Sequence, residues 1–318
     1  MDRPDERHRG VTPGLFPPLV HELVGRCRFP APGTPVACAV SGGADSLALL
    51  VLAVAADCEV TAIHVEHGLR PDGAGEAAVV ADAAARFGAR FESIRVDVET
   101  GPNLEARARA ARYAVLPPDV FTGHTADDQA ETVLLNIIRG AGLDGLAGMR
   151  AEPVGGQRGP RRPLLGVRRA ETRSVCEAVG LAPVDDPSNR DPAFRRNRVR
   201  HEVVPLLTGV AERDVVPIVA RLAGLAADEV DLLDELARHI DPSDALALGA
   251  APAALARRAI RSWLRHGSER YAPDAATVER VLAVARGEAL ATDVGHGRRV
   301  VRSKQRLRVE ESAPAPTP

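Results

Sequence analysis

The sequence predicts an α/β domain built on a parallel sheet, followed by a smaller, mostly α-helical domain that ends in a basic hairpin. Three observations carry this. Apolar β-rich segments near 36–40, 59–65, 90–96 and 119–122 alternate with Ala-rich stretches at 47–56, 75–87, 103–116 and 126–139, which is the spacing of βαβ units. From about 215 amphipathic helical patterns take over, at 218–240, 251–266 and 274–286. The chain then closes on an arginine-rich segment, 297–310, that reads as a hairpin.

The elements follow in order. Residues 1–14 read as disordered, and a helix around 15–28 precedes the first strand. Residues 140–163 are rich in Gly, Pro and Arg without an apolar period, and predict a mobile loop. Helix resumes over 168–207, interrupted at Asp185-Asp186-Pro187-Ser188-Asn189. The domain boundary is expected at 212/213, and 312–318 reads as a disordered, Pro-rich tail.

Apolar residues make up 45% of the 318 residues, enough for a core, but aromatics only 3%, so Ala, Val and Leu must fill it. The net charge of −2 hides local patches: residues 158–200 carry 11 arginines against 5 acids, and 251–311 carry 13 basic against 7 acidic residues. Such patches fit either a nucleic-acid partner or a solvated arginine-rich surface. Cys27, Cys38, Cys58 and Cys176 form no C-x-x-C and no metal-like spacing, so all are expected to be reduced and structural. The charged N-terminus has no cleavable apolar core, and the longest apolar run, Leu47 to Ala56, is too short for a bilayer. A soluble, cytoplasmic protein without membrane partners is expected.

The most informative segment is Val36 to Ser46, a short strand running into Ser41-Gly42-Gly43-Ala44-Asp45-Ser46 and then into an apolar helix. The glycines permit a tight turn with N–H groups directed inward, and the helix start adds unpaired N–H groups and a positive dipole end. This favours an anion such as phosphate over a plain βα turn, although Gly-Gly after a strand serves either. No Walker lysine motif is present. The Ser41 and Ser46 hydroxyls and the Asp45 carboxylate suit pyrophosphate with a magnesium ion.

A second cluster is Thr122-Gly123-His124-Thr125-Ala126-Asp127-Asp128-Gln129-Ala130-Glu131-Thr132. Thr125 is a helix cap, and the pairs His124/Asp128 and Asp127/Glu131 are each four residues apart on adjacent tracks. The cluster reads as a capped acidic helix start, or as polar groups beside the loop in which His124 and Asp128 move protons or orient an amine. His64 and His67 lie three apart at the end of a strand, and a metal reading lacks a third ligand. Glu105, Arg109, Arg112 and Tyr113 share overlapping helical faces, either solvated or recognising phosphate or carboxylate.

Ser-Gly-Gly-x-Asp-Ser resembles the signature of the PP-loop ATP pyrophosphatases, whose domain is Rossmann-like and of the adenine nucleotide alpha hydrolase type. His64-Val-Glu-His-Gly-Leu-Arg70, Asn103-x-Glu-x-x-x-Arg109 with Arg112-Tyr113, Gly123-His-x-x-Asp-Asp-Gln-x-Glu-Thr132, and Asp186-Pro-Ser-Asn-x-Asp191 with Phe194-x-Arg196-Asn197-x-x-Arg200 follow in order. Together they resemble the tRNA(Ile)-lysidine synthase family over about 36–207, with a weaker likeness at Val294 to Arg302. Glu66 stands where that family usually has aspartate, and Gly295-His296-Gly297 replaces a Gly-Gly turn.

The resemblance implies a PP-loop ATP-binding catalytic domain at 15–212 and a tRNA-binding domain at 213–311. It implies ligation of L-lysine to the wobble cytidine of the isoleucine tRNA with a CAU anticodon, through an adenylated tRNA, with release of AMP and PPi. ATP would rest on Ser41, Gly42, Gly43, Ala44, Asp45 and Ser46, with Asp45 holding Mg2+. The implied catalytic residues are Asp45, His124, Asp128 and Arg200. Arg109, Arg112, Asp127, Glu131, Arg196 and Asn197 would contact lysine, phosphate or tRNA. Arg298, Arg302 and Lys304, with Arg299, Arg306 and Arg308, would bind the tRNA backbone. A homodimer is left open. A tRNA 2-thiolation enzyme would need a cysteine pair that the chain lacks. A non-enzymatic nucleotide sensor would not need the cluster at 124–132.

Overall fold

The computed structural model describes residues 16–66, 73–97, 101, 104–154, 158–265 and 273–311. The expected disordered ends and the segment His67 to Arg70 lie outside the described residues, as do Asn103 and the side chain of Glu105. The chain divides into two compact units between Gly224 and Leu225.

The first unit contains α1 (Pro18–Val24), β1 (Pro35–Ala39), α2 (Ala44–Ala55), β2 (Glu59–Glu66), α3 (Gly73–Arg86), β3 (Arg90–Arg95), α4 (Leu104–Val115), α5 (Ala126–Ile138), α6 (Leu143–Leu146), α7 (Arg169–Ala178), α8 (Arg195–Arg198) and α9 (Val204–Ala211). The long helix α10 (Val216–Ala237) spans the division. β1, β2 and β3 pair in parallel, in that order. α2 is apolar on every side, and Ser46 through Val54 are all buried, as expected of a helix enclosed between layers. It packs against β1, β2, α1, α3 and α7. Ile63, Leu116 and Val120 form a smaller core with Ala37, Ala39, Val65 and Ile94.

The fourth expected strand contracts to a parallel bridge. Phe121 N donates to Ala37 O at 2.8 Å and Ala39 N donates to Phe121 O at 2.9 Å, giving the bridge between Cys38 and Phe121. Pro117 and Pro118 precede it, and prolines cannot donate to a ladder. On its far side Phe121 bridges Arg161. The region expected to be a mobile loop therefore contributes a sheet edge as well as α6. The sheet grows from β1 toward β2 in one direction and toward Phe121 in the other. The order thus reverses between β1 and Phe121, and such switch points open a crevice at the strand ends.

The run expected as helix over 168–207 is broken. A 3-10 turn covers Pro187–Arg190, and a π-helical turn at Val199–Val203 joins α8 to α9. Pro205 in the first turn of α9 explains the π turn, since it has no N–H to donate and crowds the preceding turn.

The second unit continues with α11 (Ala245–Ala250), α12 (Ala253–Leu264), α13 (Ala275–Arg286) and β4 (Ala291–Gly295), β5 (Arg298–Ser303) and β6 (Arg306–Glu311). The expected hairpin is a three-stranded antiparallel sheet. Its core joins Ile260, Val281, Leu282, Val300 and Leu307. His296 and Gly297 take φ of 54° and 68° in the β4–β5 turn, the left-handed pair that a tight hairpin requires.

Candidate active site

After β1 the chain turns through Ser41, Gly42 and Gly43 into α2. Gly42 sits at φ 83°, which glycine adopts without steric cost. Its carbonyl accepts from Val184 N at 3.0 Å, tying the loop to the segment after α7. Ser46 Oγ accepts from Ser41 N at 3.1 Å, donates to Gly43 O at 2.9 Å and lies 3.3 Å from Ser41 Oγ. Gly43 caps α2 in an extended conformation without a side-chain cap. The N–H groups of Ala44 and Asp45 therefore start the helix with no acceptor inside it.

The second cluster lies directly against this loop. A β-carbon built on Gly123 would stand 2.6 Å from Asp45 O and 3.1 Å from Ser46 N, so only glycine allows the two backbones to touch. His124 Nδ1 lies 2.8 Å from Thr122 Oγ1, whose hydroxyl donates to Arg161 O at 3.2 Å. When the hydroxyl proton goes to that carbonyl, Nδ1 carries the ring proton and Nε2 keeps its lone pair. Burial holds His124 down to about 4, with nearby Arg162 and Arg109 adding to the effect. The ring is neutral at neutral pH and a weak base.

Thr125 and Asp128 form the capping box of α5. Asp128 Oδ2 accepts from Thr125 N and Thr125 Oγ1, both at 2.9 Å. Its Oδ1 faces Arg169 Nη2 at 2.9 Å and Arg196 Nη2 at 2.8 Å. Glu131 is 2% exposed and takes Arg169 at 2.9 Å, Arg196 at 2.7 Å and Arg200 at 2.7 Å. Asp45 accepts a hydrogen bond from Thr172 Oγ1 and lies 3.5 Å from Arg169 Nε. Three carboxylates and three guanidiniums thus interlock. Burial opposes the charge on Asp128, yet Arg169, Arg196 and the Thr125 N–H outweigh it and hold the carboxyl at about 2. Asp45 has weaker compensation, and burial raises its pKa.

These contacts place the other expected site residues. At about 2, Asp128 is a poor proton acceptor, so its geometry suits orienting cations rather than deprotonating an amine. Glu131 is held by three guanidiniums and is nearly closed to solvent. Asp127 pairs with Arg168 at 3.0 and 3.1 Å and accepts from Arg169 N at 2.8 Å. It anchors the start of α7. Asn197 donates to Ser188 O at 2.8 Å and Asp191 O at 2.9 Å, clamping the 3-10 turn with both amide hydrogens. Arg109 and Arg112 stand 5.2 and 5.6 Å from the Tyr113 ring centre, a cation–π arrangement on α4. His64 is buried and bonds Val40 O through Nδ1 at 3.0 Å, a strand-end contact. All four cysteines are free thiols.

Arg168, Arg169 and Thr172 were not singled out in the sequence. The signal was the arginine excess of 158–200, which left a nucleic-acid partner and a solvated surface equally open. Arg168 also pairs with Asp214.

In the second unit, Arg302 turns inward. It donates to Val284 O at 3.4 Å, Gln305 Oε1 at 2.8 Å and Lys304 O at 3.2 Å, over Gly287 where a β-carbon would meet it at 2.6 Å. It closes the C-terminal end of α13. Arg298 is half-buried opposite Glu311 on β6, and Lys304 occupies the exposed β5–β6 turn at φ 55°. Arg299 pairs with Glu310 at 3.2 Å and Arg306 with Asp241 at 2.9 Å. Arg308 is exposed. Among the described residues no helix is long and apolar enough to cross a membrane.

A glycine-bent loop at the switch point, opening a helix and facing a polar cluster, defines a PP-loop enzyme. Residues 21–207 match the family model of the PP-loop domain. The chain is 46% identical over 251 residues to the tRNA(Ile)-lysidine synthase of Nocardia farcinica, covering 74% of this chain and 77% of that one. It is 42% identical over 315 residues to that of Salinispora tropica, covering 90% and 92%. The chain belongs to the tRNA(Ile)-lysidine synthase family. The U34-tRNA thiolase NcsA of Methanococcus maripaludis shares the fold, with a TM-score of 0.54 at 16% identity over 66% of this chain and 78% of that one.

Proposed function

We propose that the chain joins L-lysine to C2 of the wobble cytidine of the isoleucine tRNA with a CAU anticodon, using ATP and releasing AMP and PPi. The relatives' name supplies the substrate class. The observation that supports it in this chain is the backbone contact between Gly123 and Asp45, which sets the anion-binding loop and the His124 cluster around one crevice.

In this reading ATP's β- and γ-phosphates lie on the N–H groups and hydroxyls of Ser41–Ser46. Cytosine O2 attacks the α-phosphate and PPi leaves; the lysine amine then attacks C2 and AMP leaves. Fixed N–H donors at the start of α2 stabilise the charge gathering on the departing diphosphate. Magnesium fits the donor set, because it commonly takes one or two carboxylates and completes its shell with phosphate and water. Asp45 would hold it. Among the described residues no group of three or more His, Cys, Asp or Glu offers a self-sufficient metal cage. The ion supplies charge neutralisation at the phosphates when bound.

His124 Nε2, neutral and held by Thr122, is the acceptor that orients an amine or base edge. Arg109, whose charge acts on His124, and Arg112 serve phosphate or carboxylate. Arg196 and Arg200 keep one guanidinium edge each on the acidic cluster and serve the triphosphate or adenylate with the other. Exposed basic residues of the second unit, Arg308 and Lys304 foremost, contact the tRNA backbone. An unpaired anticodon base suits this chemistry, since it enters a pocket without opening a helix. Every group named comes from one chain, so a homodimer is not required by the site. A tRNA substrate supports a cytoplasmic place of action.

The deciding experiment incubates the protein with ATP, labelled lysine and tRNA transcripts that differ only at the wobble base. Label in the cytidine transcript and none in its uridine variant is expected. Equal labelling of both, or of neither while ATP binds, would overturn the reading.

A further inference from the structure

Arg169 occupies a place that neither the loop nor the acidic helix explains by itself. It is the first residue of α7, and its three nitrogens reach carboxylates on two other elements. Nη1 meets Glu131 at 2.9 Å and Nη2 meets Asp128 at 2.9 Å, both on α5, while Nε lies 3.5 Å from Asp45 in the first turn of α2. Two contacts are tight and the third is long. The tight pair is to well-buried carboxylates, with side-chain exposures of 12% and 2%, and the long one is to Asp45 at 29%.

We infer that Arg169 is a positioning residue that holds Asp45 until a nucleotide-bound divalent cation displaces it, and thereby links occupancy of the loop to the Asp128/Glu131 cluster. The inference rests on the proposed ATP-dependent reading of the same site. Asp45 is the carboxylate expected to meet the cation, and a carboxylate shared with a guanidinium binds a cation less well than a free one. The guanidinium stays anchored by its two tight contacts to Asp128 and Glu131, so its charge stays beside the loop when Asp45 is drawn away. A lysine could not replace this arrangement, because a single ammonium lacks the planar fork that spans three carboxylates.

The cluster tolerates the test. Without Arg169, Glu131 keeps Arg196 and Arg200 at 2.7 Å each, and Asp128 keeps Arg196 at 2.8 Å. Asp45, the most exposed of the three, loses its guanidinium and keeps the hydrogen bond from Thr172 Oγ1.

The experiment compares the full-length protein with Arg169→Gln and Arg169→Lys. Mg2+ binding is measured by calorimetry at saturating non-hydrolysable ATP analogue, and adenylation of tRNA is followed in a single turnover. In Arg169→Gln the Mg2+ dissociation constant is expected to fall several-fold while the adenylation rate falls at least tenfold. Arg169→Lys should shift both in the same directions, the Mg2+ constant by less, and it serves as the readout if the Gln variant is unfolded. Unchanged or weaker Mg2+ binding in a folded variant would overturn the coupling. Failure of the unaltered protein to bind the ATP analogue would instead sink the functional reading beneath it.

Discussion

The backbone of Gly123 lies against the backbone of Asp45 so closely that a β-carbon on Gly123 would sit 2.6 Å from the Asp45 carbonyl oxygen and 2.8 Å from its carbonyl carbon. Neither atom is a flexible side-chain end. Gly123→Ala must therefore push the end of the Phe121 segment away from the start of α2. Nucleotide affinity is expected to fall at least tenfold, alongside a stability loss of about 1–3 kcal/mol from overpacking. Binding of an ATP analogue and denaturant unfolding measure the two. A variant that binds nucleotide normally would remove the shared crevice.

His124 and Asp128 predict two separate acid transitions. Unfolded histidine titrates near 6.5 and folded His124 near 4, so between those values the unfolded chain binds more protons. The contribution of His124 is complete above 6.5 and is lost as the pH falls toward 4, amounting to at most about 3 kcal/mol. Asp128, at about 2 when folded against 3.8, adds a second loss only below 3.8. His124→Gln should flatten the first window and spare the second, in unfolding midpoints followed from neutral pH downward.

Glu131 is the closed end of the charge cluster, with three guanidiniums around one carboxylate. Removing it leaves buried cations short of a partner, which costs about 3–5 kcal/mol in comparable cases. Glu131→Ala should lower the midpoint of the first unit's unfolding by far more than Glu202→Ala, whose exposed pair with Arg198 is worth little. Similar losses for both would contradict the cluster's burial.

In the second unit, Arg302 and Arg308 should separate folding from binding. Arg302→Ala removes hydrogen bonds to Val284, Lys304 and Gln305 and is expected to destabilise by about 1–2 kcal/mol. Arg308→Ala should leave stability unchanged, weaken tRNA binding and lower the slope of log affinity against log salt by about one. An unchanged salt slope would exclude Arg308 from the tRNA contact.

Much of this protein was legible because it is local. The glycine turn, the apolar helix α2 and the Thr125 cap depend on residues within a few positions of one another, and their backbone conformations follow from those residues alone. The βαβ alternation likewise fixed the parallel pairing of β1, β2 and β3. The fourth strand was overestimated because its apolar run did not reveal the turn in which Val120 N donates to Pro117 O, which leaves a single bridge at Phe121.

The partners of the charged side chains were not legible. Asp127 and Arg168, Glu131 and Arg169, and Glu131 and Arg200 lie far apart in sequence, and they meet only because α7 and the α8–α9 segment lie across the start of α5. The sequence by itself determined which residues could bind an anion, cap a helix or carry charge, since those are properties of residue type and short-range geometry. Tertiary structure alone decided which charges neutralise one another and which stay available. Burial sets the cost of an unpaired charge, and burial depends on how distant elements pack.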